Sequence, residues 1–120
     1  MTPKELIVIP SDGDSGMSDS VSNIFAKAPY FTFVEVIDGR KDQVTVEENE
    51  SSGLSQGTGP IVMKSFKDRG VDVVLASEVG PGARTLMDMS GIKLFKVEPG
   101  TRVSKAFKQY VDSQTKQSWS

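Results

Sequence analysis

Residues 71–97 read VDVVLASEVGPGARTLMDMSGIKLFKV, and no other stretch limits the fold as tightly. Two short strand-like runs, 71–76 and 92–97, flank a helix-like segment that opens at Gly80-Pro81 and stops at Gly91. Proline suits the first helical turn, where its missing N–H would have no partner anyway, and glycine suits the position just past a helix end. Ala83, Leu86 and Met87 give that helix an inward side at helical spacing. Strand, helix and strand in so few residues make a βαβ unit, which requires parallel strands joined by a right-handed crossover.

The remaining segments extend the pattern. Residues 5–9 (ELIVI) read as a buried strand ended by Pro10. Ser18 then caps an expected short helix in which Val21, Ile24, Phe25 and Ala28 fall at i, i+3, i+4 and i+7, and Pro29 stops it. Residues 30–36 (YFTFVEV) and 43–47 (QVTVE) alternate or cluster as strands around an Asp38-Gly39 turn, which predicts a hairpin. A polar, glycine- and serine-rich loop follows. Gly59-Pro60 opens a helix with Ile61, Val62 and Phe66 on its apolar side and Gly70 as its stop. After the βαβ unit, Thr101 caps a last helix carrying Val103, Ala106, Phe107, Tyr110 and Val111. The expected order is β-α-β-β-α-β-α-β-α. A mixed five-stranded sheet flanked by helices satisfies both the hairpin and the crossovers, with the element order of a ribonuclease-H-like α/β fold. One domain over residues 1–112 is expected, with 113–120 as a polar, fraying tail.

Composition removes whole classes of chemistry. The chain has neither cysteine nor histidine. Disulfides, zinc sites of the Cys/His kind, thiolate-held iron–sulfur clusters and histidine- or cysteine-based nucleophilic machinery are excluded. The net charge of −2 argues against nucleic acid as a partner. The charge is uneven: residues 1–50 balance at −6, residues 51–90 at zero and residues 91–120 at +4. The longest aliphatic run, residues 6–9, is far short of the ~20 residues a membrane helix needs, and no signal-peptide pattern opens the chain. A cytoplasmic protein without a membrane partner is expected, and the Asn49-Glu50-Ser51 sequon is read as chance.

Three places could carry chemistry. QGTGP (56–60) and EVGPGAR (78–84) each put glycines at a helix start. The first N–H groups of a helix point outward unpaired, the helix dipole favours negative charge there, and glycine lets an anion approach the backbone. Gln56, Gly57, Gly59, Gly80 and Gly82 are therefore the candidate backbone cradle, with Arg84 as a charged donor in the first turn. Neither stretch is a Walker loop or a dinucleotide fingerprint. SDGDSG (11–16) has oxygen ligands for calcium but lacks the rest of a calcium loop, Asn23 standing where the closing glutamate belongs. Two-metal nuclease chemistry, raised by the fold alone, needs converging carboxylates, whereas Glu5, Asp72 and Glu78 are isolated. No acid–base pair suggests an enzyme.

Taken together, APYF (28–31), GTGP (57–60), GVDVVLA (70–76), GPGA (80–83) and GIKLFKV (91–97) resemble the dinitrogenase iron–molybdenum cofactor biosynthesis family over roughly residues 5–112. That family includes nitrogenase cofactor carriers, small relatives of unknown role and a protein binding a molybdenum–copper sulfide cluster, and its fold is ribonuclease-H-like. The family pattern around 22–31 is similar to Ser-x-His-Phe-Gly-Arg-Ala-Pro-Tyr-Phe. Ser22, Phe25, Ala28, Pro29, Tyr30 and Phe31 match it. Lys27 keeps the charge of the arginine, while Ile24 replaces the histidine and Ala26 the glycine. Gln56 precedes Gly57 and Gly59 where relatives often carry histidine. The resemblance implies a non-enzymatic carrier for an anionic iron–sulfur or molybdenum–iron–sulfur cluster or its precursor, held noncovalently at helix starts, with Lys27 and Arg84 as counter-charges and no direct metal ligand. A cofactor-assembly protein is the implied partner. The alternatives are a small anion such as phosphate in the same cradle, or a protein-interaction or regulatory module that kept the fold and lost the cargo.

Overall fold

The computed structural model describes residues 4–53 and 58–118, with side chains up to residue 114 in the last helix. Five strands form one mixed sheet: β1 (Lys4–Ser11), β2 (Tyr30–Ile37), β3 (Arg40–Glu48), β4 (Val73–Ala76) and β5 (Lys93–Lys96). Their order across the sheet is β3-β2-β1-β4-β5. β2 runs antiparallel to both β1 and β3, while β4 is parallel to β1 and to β5. Among the described residues there are three α-helices: α1 (Thr58–Arg69), α2 (Pro81–Ser90) and α3 (Val103–Ser118). This is the mixed five-stranded α/β architecture expected from the βαβ unit and the hairpin.

The central strands are buried on both faces, so their side chains divide by parity. Val8, Val74 and Ala76 join Val62, Met63 and Phe66 of α1 and Ala83 and Met87 of α2. Ile7, Ile9, Val73 and Leu75 join Val103, Ala106 and Tyr110 of α3 on the opposite face. The sheet therefore lies between α1 and α2 on one side and α3 on the other. Phe66 takes the centre of the first layer, edge-on to Phe31 at 5.1 Å, Phe25 at 5.9 Å and Phe33 at 6.1 Å between ring centroids. Such contacts are worth ~0.5–1.5 kcal/mol each beyond area burial. On the other face, the Tyr110 hydroxyl donates to the Glu5 carboxylate, 3.0 Å from each oxygen, and ties α3 to β1.

The punctuation follows the sequence. Asp38 and Gly39 both have positive φ, 54° and 80°, as the twisted two-residue hairpin turn requires. Gly91 ends α2 at φ 74°, donating its N–H back to the Asp88 carbonyl. α3 does not fray after Val111 but continues to Ser118. Nor does Pro10 end β1. It pairs with Phe31 on the β2 side, and the pairing with β4 covers only Ile7 and Val8. The absent N–H of Pro10 thus costs no ladder bond on the β4 side.

The expected helix at 18–28 is not formed. Only a 3₁₀ turn at Gly16–Ser18 stands there, and the chain then crosses the sheet end as an irregular segment. Long-range backbone bonds hold it instead: Ser22 N–H donates to Pro10, Val21 N–H to Thr101, and Gly100 N–H to Val21. Val21, Phe25 and Ala28 are buried as the spacing predicts, but Ile24 is 47% exposed. Asp19 anchors the preceding loop. Burial acts to raise its pKa, but donation from the backbone N–H groups of Ser15, Ser20 and Gly13 outweighs that and holds the carboxyl below its ordinary value.

Candidate functional site

An open α/β sheet collects ligands beyond the carboxyl ends of its parallel strands, where the connections diverge to opposite sides. Here the divergence lies between β1, which continues toward β2, and β4, which leads into α2. A groove of about 670 Å³ occupies this edge. Asn23, Ile24, Phe25 and Ala26 line it from the segment after β1, Gly59 and Pro60 from the start of α1, and residues 78–84 from the β4–α2 connection. Leu94 and Lys96 come from β5.

The two helix starts meet at this groove. A Cβ built on Gly59 would lie 3.9 Å from the Ala83 Cβ, so the first turns of α1 and α2 are in contact. Gly80 precedes α2 with φ −63° and ψ 160°, Pro81 takes the first helical position, and no side chain caps the helix. The first helical bond there is Arg84 N–H to Gly80 O, 2.9 Å, which leaves the amides of Gly82 and Ala83 ahead of the ladder. Neither Gly80 nor Gly82 has positive φ, and a Cβ at either would meet nothing within 4 Å. Their lack of side chains is needed neither by the backbone nor by packing, and it bares the amides to the groove. At the other start, Thr58 is buried and its Oγ1 has no hydrogen-bond partner among the described residues.

Among the described residues, two cations line the groove. Arg84 is exposed and its Nε stands 3.6 Å from Asp88 Oδ1, a surface pair that leaves the rest of the guanidinium to solvent. Lys96 lies at the carboxyl end of β5, and among the described residues no ion pair engages it. Glu78 is the one carboxylate lining the groove among the described residues. Those residues contain no cluster of three His, Cys, Asp or Glu able to hold a metal ion. Among the described residues, the groups this groove offers are backbone N–H donors and two cations, which are donors for an anion.

Of the residues picked out by sequence, Gly59, Gly80, Gly82 and Arg84 come together here. Lys27 does not: it sits exposed in the turn after Phe25 and lines none of this groove. It was picked out because it keeps the charge of the arginine in the family pattern. Gln56 and Gly57 lie outside the described residues. Lys96, Asn23 and Glu78 were not singled out for this groove, although Lys96 is the last residue but one of IKLFKV and the strand-end rule that selected the helix starts reaches it too. The larger omission is Asn49, set aside as part of a chance sequon. It is buried, its Nδ2 donates to the carbonyls of Ala26 (2.8 Å) and Ala28 (2.9 Å), and its Oδ1 accepts from Ser51 N–H. It thereby holds the segment that forms one wall of the groove.

Among the described residues, no helix is long and apolar enough to cross a membrane. The chain is similar in structure to the apo form of the orange protein from Desulfovibrio gigas, with a TM-score of 0.81 and 26% identity over 92% of this chain and 89% of that one. A "putative NifB protein" from Thermotoga is 34% identical over 90% of this chain and 88% of its own, with a TM-score of 0.72. A "putative dinitrogenase" from Methanocaldococcus jannaschii shares the fold at 20% identity, TM-score 0.70, covering 94% of this chain and 92% of that one. No curated protein matches the chain in sequence. Residues 5–113 match the family model described as dinitrogenase iron-molybdenum cofactor. The chain belongs to the dinitrogenase iron–molybdenum cofactor family.

Proposed function

We propose that this chain is a non-enzymatic carrier for an anionic metal–sulfur species, of iron–sulfur or iron–molybdenum type, gripped noncovalently where α1 and α2 begin. The observation that carries this reading is the bare backbone at Gly80 and Gly82, open to a groove that also receives Lys96 and Arg84. Family membership supplies the class of cargo. With no cysteine or histidine anywhere in the chain, the cluster keeps its own sulfide ligands, and arrival and release break no protein–metal bond. Backbone N–H groups donate to the sulfides, the helix dipoles offset their charge, and the apolar walls of Ile24, Val79 and Leu94 exclude water. A cofactor-assembly protein is the matching partner for delivery or removal of such cargo.

Purified protein incubated anaerobically with tetrathiomolybdate, or with iron and sulfide, and then desalted tests this directly. Retention of metal and sulfide with the protein fraction is expected, and it is lost in Gly82→Val. Metal-free protein under every condition contradicts it. Binding of inorganic phosphate with equal strength reduces the site to a general anion cradle. Exposed Ile24, at 47%, favours one second reading, a protein-interaction module without cargo. A stoichiometric partner that co-purifies and is insensitive to Gly82→Val would select it.

A further inference from the structure

The outer strand β3 carries its charges in two blocks. Arg40 and Lys41 open it with Asp42 beside them, and Glu47 and Glu48 close it. β2 occupies one side of this strand, and its other side is the edge of the sheet. Arg40, Lys41, Thr45 and Glu48 are exposed, and among the described residues no ion pair engages Arg40, Lys41 or Glu48. Glu47 pairs with Arg69 of α1.

We infer that β3 pairs antiparallel with the β3 of a second copy of this chain, across a two-fold axis at Val44. An edge strand presents a row of unpaired N–H and C=O groups, and a second strand satisfies them. Antiparallel pairing about Val44 sets Arg40 and Lys41 of one copy against Glu48 and Glu47 of the other, and symmetry repeats the match. The β2–β3 register slips between Glu35 and Val36, leaving Asp42 as an extra residue on β3. That bulge moves the opposing residue by one position, so Arg40 meets Glu47 while Lys41 and Asp42 together oppose Val46, and the basic end of one strand still lies along the acidic end of the other. A parallel, in-register neighbour would instead set Arg40 on Arg40 and Glu48 on Glu48. The charge order therefore selects a closed, isologous pair over open stacking. β3 and β5 are opposite edges of the sheet, so the groove beside Lys96 stays open in the pair. This inference is independent of the cargo.

Sedimentation velocity of the full chain over a concentration series, at low and high salt, tests it. A concentration-dependent dimer is expected, weakened at least tenfold when salt rises from about 0.05 M to 0.5 M, because exposed charge pairs are screened. The double variants Arg40→Glu/Lys41→Glu and Glu47→Lys/Glu48→Lys, each shown folded by circular dichroism, are expected to be monomers alone and to associate when mixed in equal amounts. A wild-type chain that stays monomeric at low salt overturns the inference. So does a dimer that survives in either variant alone, or an equimolar mixture that fails to associate. The salt series on the wild type decides the matter even where a variant folds poorly.

Discussion

The side-chain amide of Asn49 donates to the carbonyl of Ala28 across 2.9 Å, joining the segment after β3 to the one after β1. Its second N–H reaches Ala26 O, and the backbone N–H of Asn49 reaches Pro29 O. One buried residue thus fixes the turn that carries Ile24, Phe25 and Ala26 into the groove. Removing the amide leaves buried carbonyls without donors, a loss of about 1–3 kcal/mol. Asn49→Ala is expected to lower stability by that amount in chemical denaturation. It is also expected to weaken cargo binding more than a substitution of equal cost in the distant hairpin turn.

A second prediction concerns alkaline pH. Burial is the largest cause, and the adjacent Glu5 carboxylate the next, pushing the Tyr110 phenol well above its ordinary value. The folded chain therefore holds the phenolic proton more firmly than the unfolded chain. This contribution is whole below about pH 10, the unfolded value, and is lost as pH climbs above it. Tyr110→Phe is expected to cost about 1–2 kcal/mol near neutrality and to flatten the fall in stability above pH 10. Denaturation midpoints of both proteins between pH 7 and pH 11 check it; a parallel fall in both would refute the assignment.

Gly82 separates binding from folding. Its Cβ position is open and its φ is unremarkable for any residue, so Gly82→Val is expected to change stability by less than about 0.5 kcal/mol. The valine side chain nevertheless stands over the first amides of α2. Cargo affinity is expected to fall at least tenfold, or about 1.4 kcal/mol. Thermal melting and equilibrium binding on the same preparation read the two effects apart.

Most of the sheet was legible in the sequence because each local signal agreed with the whole. β-branched runs, Gly-Pro helix starts, Gly stops and an Asp-Gly turn are short-range features, and none is overridden by tertiary contacts. The segment 18–28 was not legible. Its apolar residues fall at helical spacing, yet Ser20, Ser22 and Asn23 are weak helix formers, and long-range bonds to Pro10 and Thr101 outcompete the local ladder. Burial of Val21, Phe25 and Ala28 was right for a reason other than a helix. The misreading also put Ile24 on a core stripe, whereas Ile24 lines the groove; Lys27, chosen from the family pattern, does not line it. Asn49 was hidden because its role depends on two carbonyls more than twenty residues away in sequence.

The central claim is that cargo sits where α1 and α2 begin. Amide-resolved NMR of uniformly labelled protein, titrated anaerobically with tetrathiomolybdate, tests it most directly. The account predicts that the largest shifts fall on the amides of Gly59, Gly82, Ala83 and Arg84, with smaller ones at Ile24 and Lys96. Shifts centred on Lys27 and the outer turn, or none at saturating concentrations, would contradict it.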